Sequence, residues 1–246
     1  MNFKRTIAQS PARNTVLKGL GAIGHFPEYY ILGVEKCGTS TLYEYIIQHP
    51  KINPGRTKES FYFDKNFDQS ENWYKGFYPK KDSVDGTPTY YRDIETLRRM
   101  PKDKKYVVIL REPIARIESA WNMNLIKNWD KRDWKKIWTD ECYINFEQGY
   151  IHQSKYSERL KDIFHVFGRK NVHVMFLEEL KINPYLEMDK LFRAWGLDRC
   201  KIDEIKPVNP GTYKQHIEQW DLPKLRALFN SENKKLEELL GRGLPY

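Results

Sequence analysis

A chain of 246 residues with 40% hydrophobic content can bury one substantial core, and its formal charge of +9 favours polyanionic partners such as nucleotides, acidic polysaccharides, nucleic acid or an anionic membrane. The three cysteines, Cys37, Cys142 and Cys200, are an odd count at wide spacing without a C-x-x-C pair. That pattern argues against a disulfide framework and a zinc site, and for a reducing compartment.

Residues 1–27 read as a basic, weakly ordered arm carrying Lys4, Arg5, Arg13 and Lys18, and the domain proper spans 28–246. The apolar stretch 16–23 is short and broken by Lys18, Gly19 and Gly21, so neither a membrane anchor nor a signal peptide is expected. The first strong element is an apolar run at 29–34 of buried-strand type. A glycine-bearing turn follows, then a helical pattern over 41–47 that stops before Pro50. A second strand at 106–110 ends in Arg111-Glu112-Pro113 and leads into a helix over 114–124. The pattern predicts a third strand at 172–177, a helix over 184–195 closed by Gly196, and an amphipathic helix over 222–240 ending at Gly241. Strands alternating with helices imply an α/β domain whose central, mostly parallel sheet is covered on both faces.

The most informative residues are Gly33-Val34-Glu35-Lys36-Cys37-Gly38-Thr39-Ser40-Thr41, between the first strand and the first helix. A glycine-bearing turn feeding a helix N-terminus aims backbone N–H groups and the positive dipole end at an anion. The nucleotide-kinase pattern G-x-x-x-x-G-K-S/T puts its lysine after the second glycine, where this chain has Thr39. Here the lysine sits inside the loop, as Lys36. A kinase also needs an acidic residue at a strand end to hold magnesium, and the strand at 106–110 ends in Arg111 instead.

With Lys36, Gly38, Thr39, Ser40 and Thr41 at matching places, the loop resembles the 5′-phosphosulfate loop of sulfotransferases that use 3′-phosphoadenosine 5′-phosphosulfate (PAPS). Arg111 followed by Ser119 resembles that family's 3′-phosphate motif. An Arg offers a fork of donors and a Ser a hydroxyl, a pair able to tell a 3′-phosphate from a bare ribose hydroxyl. The segment Lys58-Glu59-Ser60-Phe61-Tyr62-Phe63-Asp64 resembles the K-E-x-x-F-F segment of heparan-sulfate-type and related bacterial carbohydrate sulfotransferases, and by position Glu59 inherits the role of catalytic base. Some relatives carry a His two places after this Glu, where this chain has Phe61. Asp85-Gly86-Thr87-Pro88-Thr89-Tyr90 resembles the family's E-K-T/S-P-x-Y, with Gly86 in place of the Lys.

The resemblance covers roughly residues 29–241 and implies a single-domain P-loop-like α/β/α three-layer fold. It implies PAPS as donor, adenosine 3′,5′-bisphosphate as product and no metal requirement. Glu59 and Lys36 are the implied catalytic pair. Lys36, Cys37, Gly38, Thr39, Ser40, Thr41, Arg111 and Ser119 are the donor contacts, joined by Asn209 and Tyr213 from a turn where many relatives carry a loop over the donor. Cys37, at a helix N-terminus beside Lys36, is read either as a thiol of depressed pKa whose alkylation blocks binding or as a small residue packed under the loop. Trp121, Trp129, Trp134 and Trp138, with Tyr143 and Tyr150, are read either as an acceptor wall or as core.

A saccharide acceptor is the first expectation and a small hydroxylated metabolite the second. The dispersal of Lys and Arg argues against nucleic acid as partner. A nucleotide kinase and a non-catalytic polyanion binder are the alternatives from other classes. The expected location is cytoplasmic, or the Golgi lumen if the chain is a piece of an anchored enzyme.

Overall fold

The computed structural model describes residues 11–143, 149–206, 208, 213, 215–219 and 221–246, the side chains of 141–143 excepted. Strand β1 (Tyr29–Gly33) is buried along its whole length, as a continuous apolar run requires when both faces of a sheet are covered. Strands β2 (Asn53–Pro54), β3 (Ser83–Asp85), β4 (Lys105–Leu110) and β5 (Val172–Phe176) complete a five-stranded sheet of order β2-β3-β1-β4-β5, and every pairing is parallel. Parallel neighbours need crossovers, and the long helices supply them: α2 (Thr39–Ile46) follows β1, and α6 (Pro113–Ile126) and α8 (Tyr156–Phe167) lie between β4 and β5. The short α3 (Tyr62–Lys65), α4 (Glu71–Lys75) and α5 (Ile94–Arg99) fill the return from β2 to β4. The result is the α/β fold of P-loop type that the sequence implies.

From β1 the chain runs on to β2 on one side, whereas β4 leads to β5 on the other. The carboxyl ends of β1 and β4 therefore flank the point at which strand order reverses, where open α/β sheets bind ligands. Gly33 and Arg111 mark those two ends.

Aromatic side chains fill much of the main core. Tyr30 stacks on Tyr106 at 5.4 Å, Tyr106 on Phe167 at 4.0 Å and Tyr62 on Tyr74 at 4.5 Å. A second, smaller cluster joins α6 to α7 (Trp134–Tyr143) and α11 (Leu222–Leu240), with Ile117, Trp121, Trp134, Ile137, Leu225 and Phe229 buried together. Trp121 and Trp134 are thus core, and Trp138 packs against them. Trp129 is 55% exposed under the Lys127 ammonium. Tyr150 is buried in the same cluster, so the core reading holds for it and for Trp121, Trp134 and Trp138 but not for Trp129; Tyr143 lies outside the described side chains.

Several elements differ from the sequence reading or were not part of it. Residues 11–27 are not a weakly ordered stretch: α1 (Pro11–Leu20) buries Leu17, and its Asn14 accepts a hydrogen bond from Trp73 Nε1 at 2.8 Å, while Arg13 lies over the Phe77 ring. Strands β2 and β3 are only two and three residues long, too short for any periodicity to announce them. The short α3, α4, α5 and α9 (Leu177–Ile182) were not announced either, whereas α10 (Pro184–Ala194) and α11, stopped by Gly241 in the left-handed conformation, follow expectation. Among the described residues no helix is long and apolar enough to cross a membrane.

Candidate active site

The loop between β1 and α2 is pinned from both sides. Val34 N–H donates to the Ile109 carbonyl of β4 at 2.9 Å, and Leu42 N–H to the Gly38 carbonyl at 3.0 Å. Gly38 has φ +86, a conformation that calls for glycine, and a Cβ there would also crowd Leu177 Cδ1 at 2.6 Å. Lys36 is also left-handed, at φ 71, a strained state for a side-chain-bearing residue that the surrounding contacts must hold.

Two arginines supply those contacts. Arg111, at the end of β4, donates from Nη1 to the Lys36 carbonyl at 3.2 Å, and Arg116, buried on α6, donates from Nε to the Glu35 carbonyl at 3.2 Å. With these carbonyls tied to guanidinium groups, the loop presents less negative charge to an incoming anion. The Lys36 ammonium reaches Met123 Sδ at 3.6 Å. Burial holds its pKa below the ordinary lysine range, and the charges of Lys127 and Arg111 push the same way. A lysine whose cationic form is disfavoured by burial and by like charges is a site that an anion would relieve.

Arg111, Ser119 and Tyr213 come together on the far side of the loop. Arg111 Nη2 donates to the Tyr213 hydroxyl at 3.2 Å, and Ser119 is buried on α6 beside them. Burial alone would raise the Tyr213 pKa, but hydrogen bonds with Arg111 and Ser119 and the charge of Arg111 bring it below the usual tyrosine value. Val208 N–H donates to Thr41 Oγ1 at 3.0 Å, which ties this segment to the first turn of α2. Asn209 lies outside the described residues. The residues expected to hold a 3′-phosphate thus cluster around one guanidinium.

The base side meets the loop at a single ammonium. Lys58 Nζ donates to Glu59 Oε1 at 2.8 Å and to Ser40 Oγ at 3.1 Å. The Glu59 side chain keeps 32% of its surface exposed, enough to meet an acceptor. Behind it lies a fixed support: the Ser60 and Phe61 N–H groups donate to Thr87 Oγ1 at 3.1 and 3.3 Å, and Thr87 donates in turn to Asp85 Oδ1 at 2.6 Å. Ser60, Tyr74 and Tyr90 hydroxyls complete the shell around the fully buried Asp85 at 2.9, 3.0 and 3.1 Å. Gly86 is explained here, because a Cβ at this position would come within 3.1 Å of the Lys58 stem, which crosses the glycine to reach Glu59 and Ser40.

Asp85 sits at the end of β3 beside β1, a place where a nucleotide kinase could keep its magnesium carboxylate. Both of its oxygens are spent on hydroxyls and an N–H, and burial pushes its pKa up despite these bonds. It is built into the support of the base segment. Sequence reading did not find Arg116 as a loop clamp, nor the ion pair between Arg92 and Glu35, because neither has a spacing that announces it.

The reactive-thiol reading of Cys37 is overturned. The side chain is fully buried, its Sγ lies 3.9 Å from the Tyr156 hydroxyl, and burial pushes the thiol up to about 12 against the opposing pull of Arg116 and Arg111. Its N–H is also engaged, donating to the Val34 carbonyl at 3.1 Å. Desolvation outweighs the helix end and the nearby cations, and the residue is packing under the loop.

Residues 27–238 match the sequence profile described as Sulfotransferase domain. Heparan sulfate glucosamine 3-O-sulfotransferase 3A1 of Homo sapiens is 30% identical over 215 residues, which cover 81% of this chain and 51% of that protein. The chain therefore spans about half the length of the curated relatives it matches. A sulfotransferase from Alicyclobacillus acidocaldarius superimposes with a TM-score of 0.73 over 89% of this chain and 97% of that one, at 23% identity. Mouse sulfotransferase SULT7A1 complexed with PAP gives a TM-score of 0.53 over 94% of this chain and 90% of that one, at 15% identity. Both structural likenesses are of fold.

Proposed function

Because the chain belongs to the Sulfotransferase domain family, we propose that it moves a sulfuryl group from PAPS to a hydroxyl or amine of a saccharide. The observation that carries this reading is the gathering of Lys36, Arg111, Ser119 and Tyr213 around one loop at the carboxyl ends of β1 and β4. Those residues fit a nucleotide with phosphates at both ends. Lys36 and the N–H groups at the start of α2 would hold the 5′ end, and Arg111, Ser119 and Tyr213 the 3′-phosphate. The saccharide is favoured by the heparan sulfate enzymes among the relatives and by the K-E-x-x-F-F resemblance around Glu59.

PAPS, when bound, supplies an activated sulfuryl group whose bridging oxygen becomes part of the 5′-phosphate as the acceptor attacks sulfur in line. Glu59 takes the proton from the attacking hydroxyl or amine. Lys58 orients Glu59 and, through Ser40, fixes its height above the loop. Lys36 offsets the charge that grows on the leaving oxygen. Cys37, assigned by position to the donor site, contributes by packing alone.

The test is a calorimetric titration with adenosine 3′,5′-bisphosphate in EDTA, with Arg111→Ala and an ATP control. Binding that weakens in the variant by ~10- to 100-fold, the equivalent of a charged hydrogen bond of about 1.5–3 kcal/mol, is the expected result. Absence of binding, or an equal preference for ATP with a magnesium requirement, would discard the sulfotransferase reading for a kinase or another polyanion site.

A further inference from the structure

Helix α6 runs along the candidate donor site, with Ser119, Met123 and Lys127 four residues apart on it, Lys127 as its C-cap. Four residues advance a helix by about 6 Å and little more than one turn, so the three stand in a row on nearly one face. The first two are placed by contact. Ser119 hydrogen-bonds with Tyr213 beside Arg111, and Met123 Sδ meets the Lys36 ammonium at 3.6 Å. In the proposed mode of binding these are the 3′-phosphate end and the reacting end of the donor. Lys127 lies one turn past the reacting end, on the side away from Ser119, and its charge reaches Lys36, whose pKa it helps to hold down. That turn is the first part of α6 the donor leaves open to an acceptor.

The end of α6 is built to present two groups there. Asn128 turns the chain at a left-handed φ of 55, a conformation Asn tolerates better than most residues, and the Trp129 N–H returns to the Asn124 carbonyl at 2.9 Å. This turn sets the Lys127 ammonium over the Trp129 ring, 4.3 Å from its centroid, and keeps Trp129 out of the core that takes Trp121 and Trp134. Lys127 is exposed and has no ion-pair partner among the described residues. The acid nearest in sequence, Asp130, is taken by Arg132 at 2.6 Å and by the Tyr150 hydroxyl at 2.9 Å. An apolar plate in water with an uncompensated ammonium at its face matches a ring that is apolar on one side and acidic at its edge.

We infer that Lys127 and Trp129 form an acceptor subsite for an acidic sugar ring neighbouring the one that reacts, with Trp129 packing on its C–H face and Lys127 pairing its acidic group. The inference rests on the sulfotransferase reading and names the class of saccharide that the site takes. Lys36 and Arg111 are spent on the donor once it is bound, whereas Lys127 keeps its charge for the acceptor. Binding energy gathered one ring away from the chemistry holds the reacting hydroxyl or amine in place.

The experiment is calorimetry on the full chain saturated with adenosine 3′,5′-bisphosphate, with three probes: a hexuronate tetrasaccharide, a sulfated glucose tetrasaccharide and the neutral glucose tetrasaccharide. In the native protein at least one acidic probe should bind about fivefold tighter than the neutral one, and which of the two it is tells carboxylate from sulfate. Lys127→Gln should remove that preference and leave the neutral probe as it was. Trp129→Ala should weaken acidic and neutral probes alike by about tenfold, and Trp129→Phe should restore most of the loss. Both positions are exposed, so the variants should fold, and bisphosphate affinity within about threefold of native checks that they do. A preference that survives Lys127→Gln, a native protein that binds the three probes equally or not at all, or Trp129→Ala without effect overturns the inference. So does a fall in bisphosphate affinity with Lys127→Gln as large as the fall for the acidic probe, because Lys127 would then serve the donor. Failure of the native protein to bind bisphosphate counts against the sulfotransferase reading itself, whereas bisphosphate binding with probes indifferent to Lys127 counts against the subsite alone.

Discussion

The phosphate loop and the segment from Lys58 to Tyr90 meet at the hydrogen bond between Lys58 and Ser40, yet they handle charge in opposite ways. On the loop side, Lys36, Arg111 and Lys127 stand close enough for like charges to help depress the Lys36 pKa, and the hydroxyl of Tyr213 is drawn below its ordinary value by Arg111. On the base side, the buried Asp85 is surrounded by the hydroxyls of Ser60, Tyr74, Thr87 and Tyr90, and satisfied by them. The first arrangement would be completed by the anion that the proposed function brings to it. The second is satisfied from within the protein and fixes the Ser60 and Phe61 backbone next to Glu59. One half of the cleft stores a demand for a ligand, and the other stores geometry, a division that suits electrostatic binding on one side and positioned proton transfer on the other.

The sharpest way to separate the halves is Glu59→Gln. Loss of a positioned general base should lower turnover by ~10²- to 10⁴-fold while bisphosphate affinity stays unchanged, because no donor contact is touched. Rates of bisphosphate release beside a calorimetric titration measure both quantities. Turnover within a few-fold of the native protein would remove Glu59 from the base role. A parallel fall in bisphosphate affinity would mean that the two halves are not independent.

A smaller effect comes from pH and belongs to the loop side. The Lys36 ammonium attracts phosphate only while protonated, so affinity is present below its pKa and lost as pH rises through it. Burial, then Lys127 and Arg111, lower that pKa, so the loss should begin below the ordinary lysine value of 10.5. A bound anion favours the charged form, so binding in that window should take up a proton, seen as a heat that depends on the buffer's ionisation enthalpy. Past the free-protein pKa the decline from this one proton is at most about tenfold per pH unit. Lys36→Arg should carry the limb out of range. An unchanged limb in that variant would place the titration elsewhere.

The loop half was largely legible in the sequence, and the physical reason is locality. The apolar runs that became β1 and β4 sit directly before Gly33 and Arg111, and the turn residues lie in one stretch of nine, Gly33 to Thr41. Glu59 could be assigned only by resemblance, because the groups that fix its segment come from separate parts of the chain: Ser40, which holds Lys58, from α2, Asp85 from the end of a strand too short to show a period, and Thr87 from just beyond it. The Glu35–Arg92 pair was not legible for the same reason, since it depends on packing between distant segments. The tryptophans left two readings open, and packing chose between them. Their spacing among charges is compatible with an acceptor wall or with core, and the faces of α6, α7 and α11 close over Trp121 and Trp134 as core.

Cys37 carries the smallest expected effect and the clearest sign. A helix N-terminus and neighbouring cations favour a thiolate, and sequence reasoning that weighs only these predicts a reactive sulfur. Complete burial opposes them and pushes the thiol up to about 12, so at pH 8 almost no thiolate is present and none is accessible. Iodoacetamide at pH 8 should therefore leave Cys37 unlabelled in the native protein, as peptide mapping would show, with full labelling in denaturant. Bisphosphate should give no further protection, because there is no reactivity left to protect. Rapid labelling of the native protein, slowed by bisphosphate, would show instead that the loop opens readily. The pinning by Arg111, Arg116 and Val34 would then be weaker than their hydrogen bonds imply.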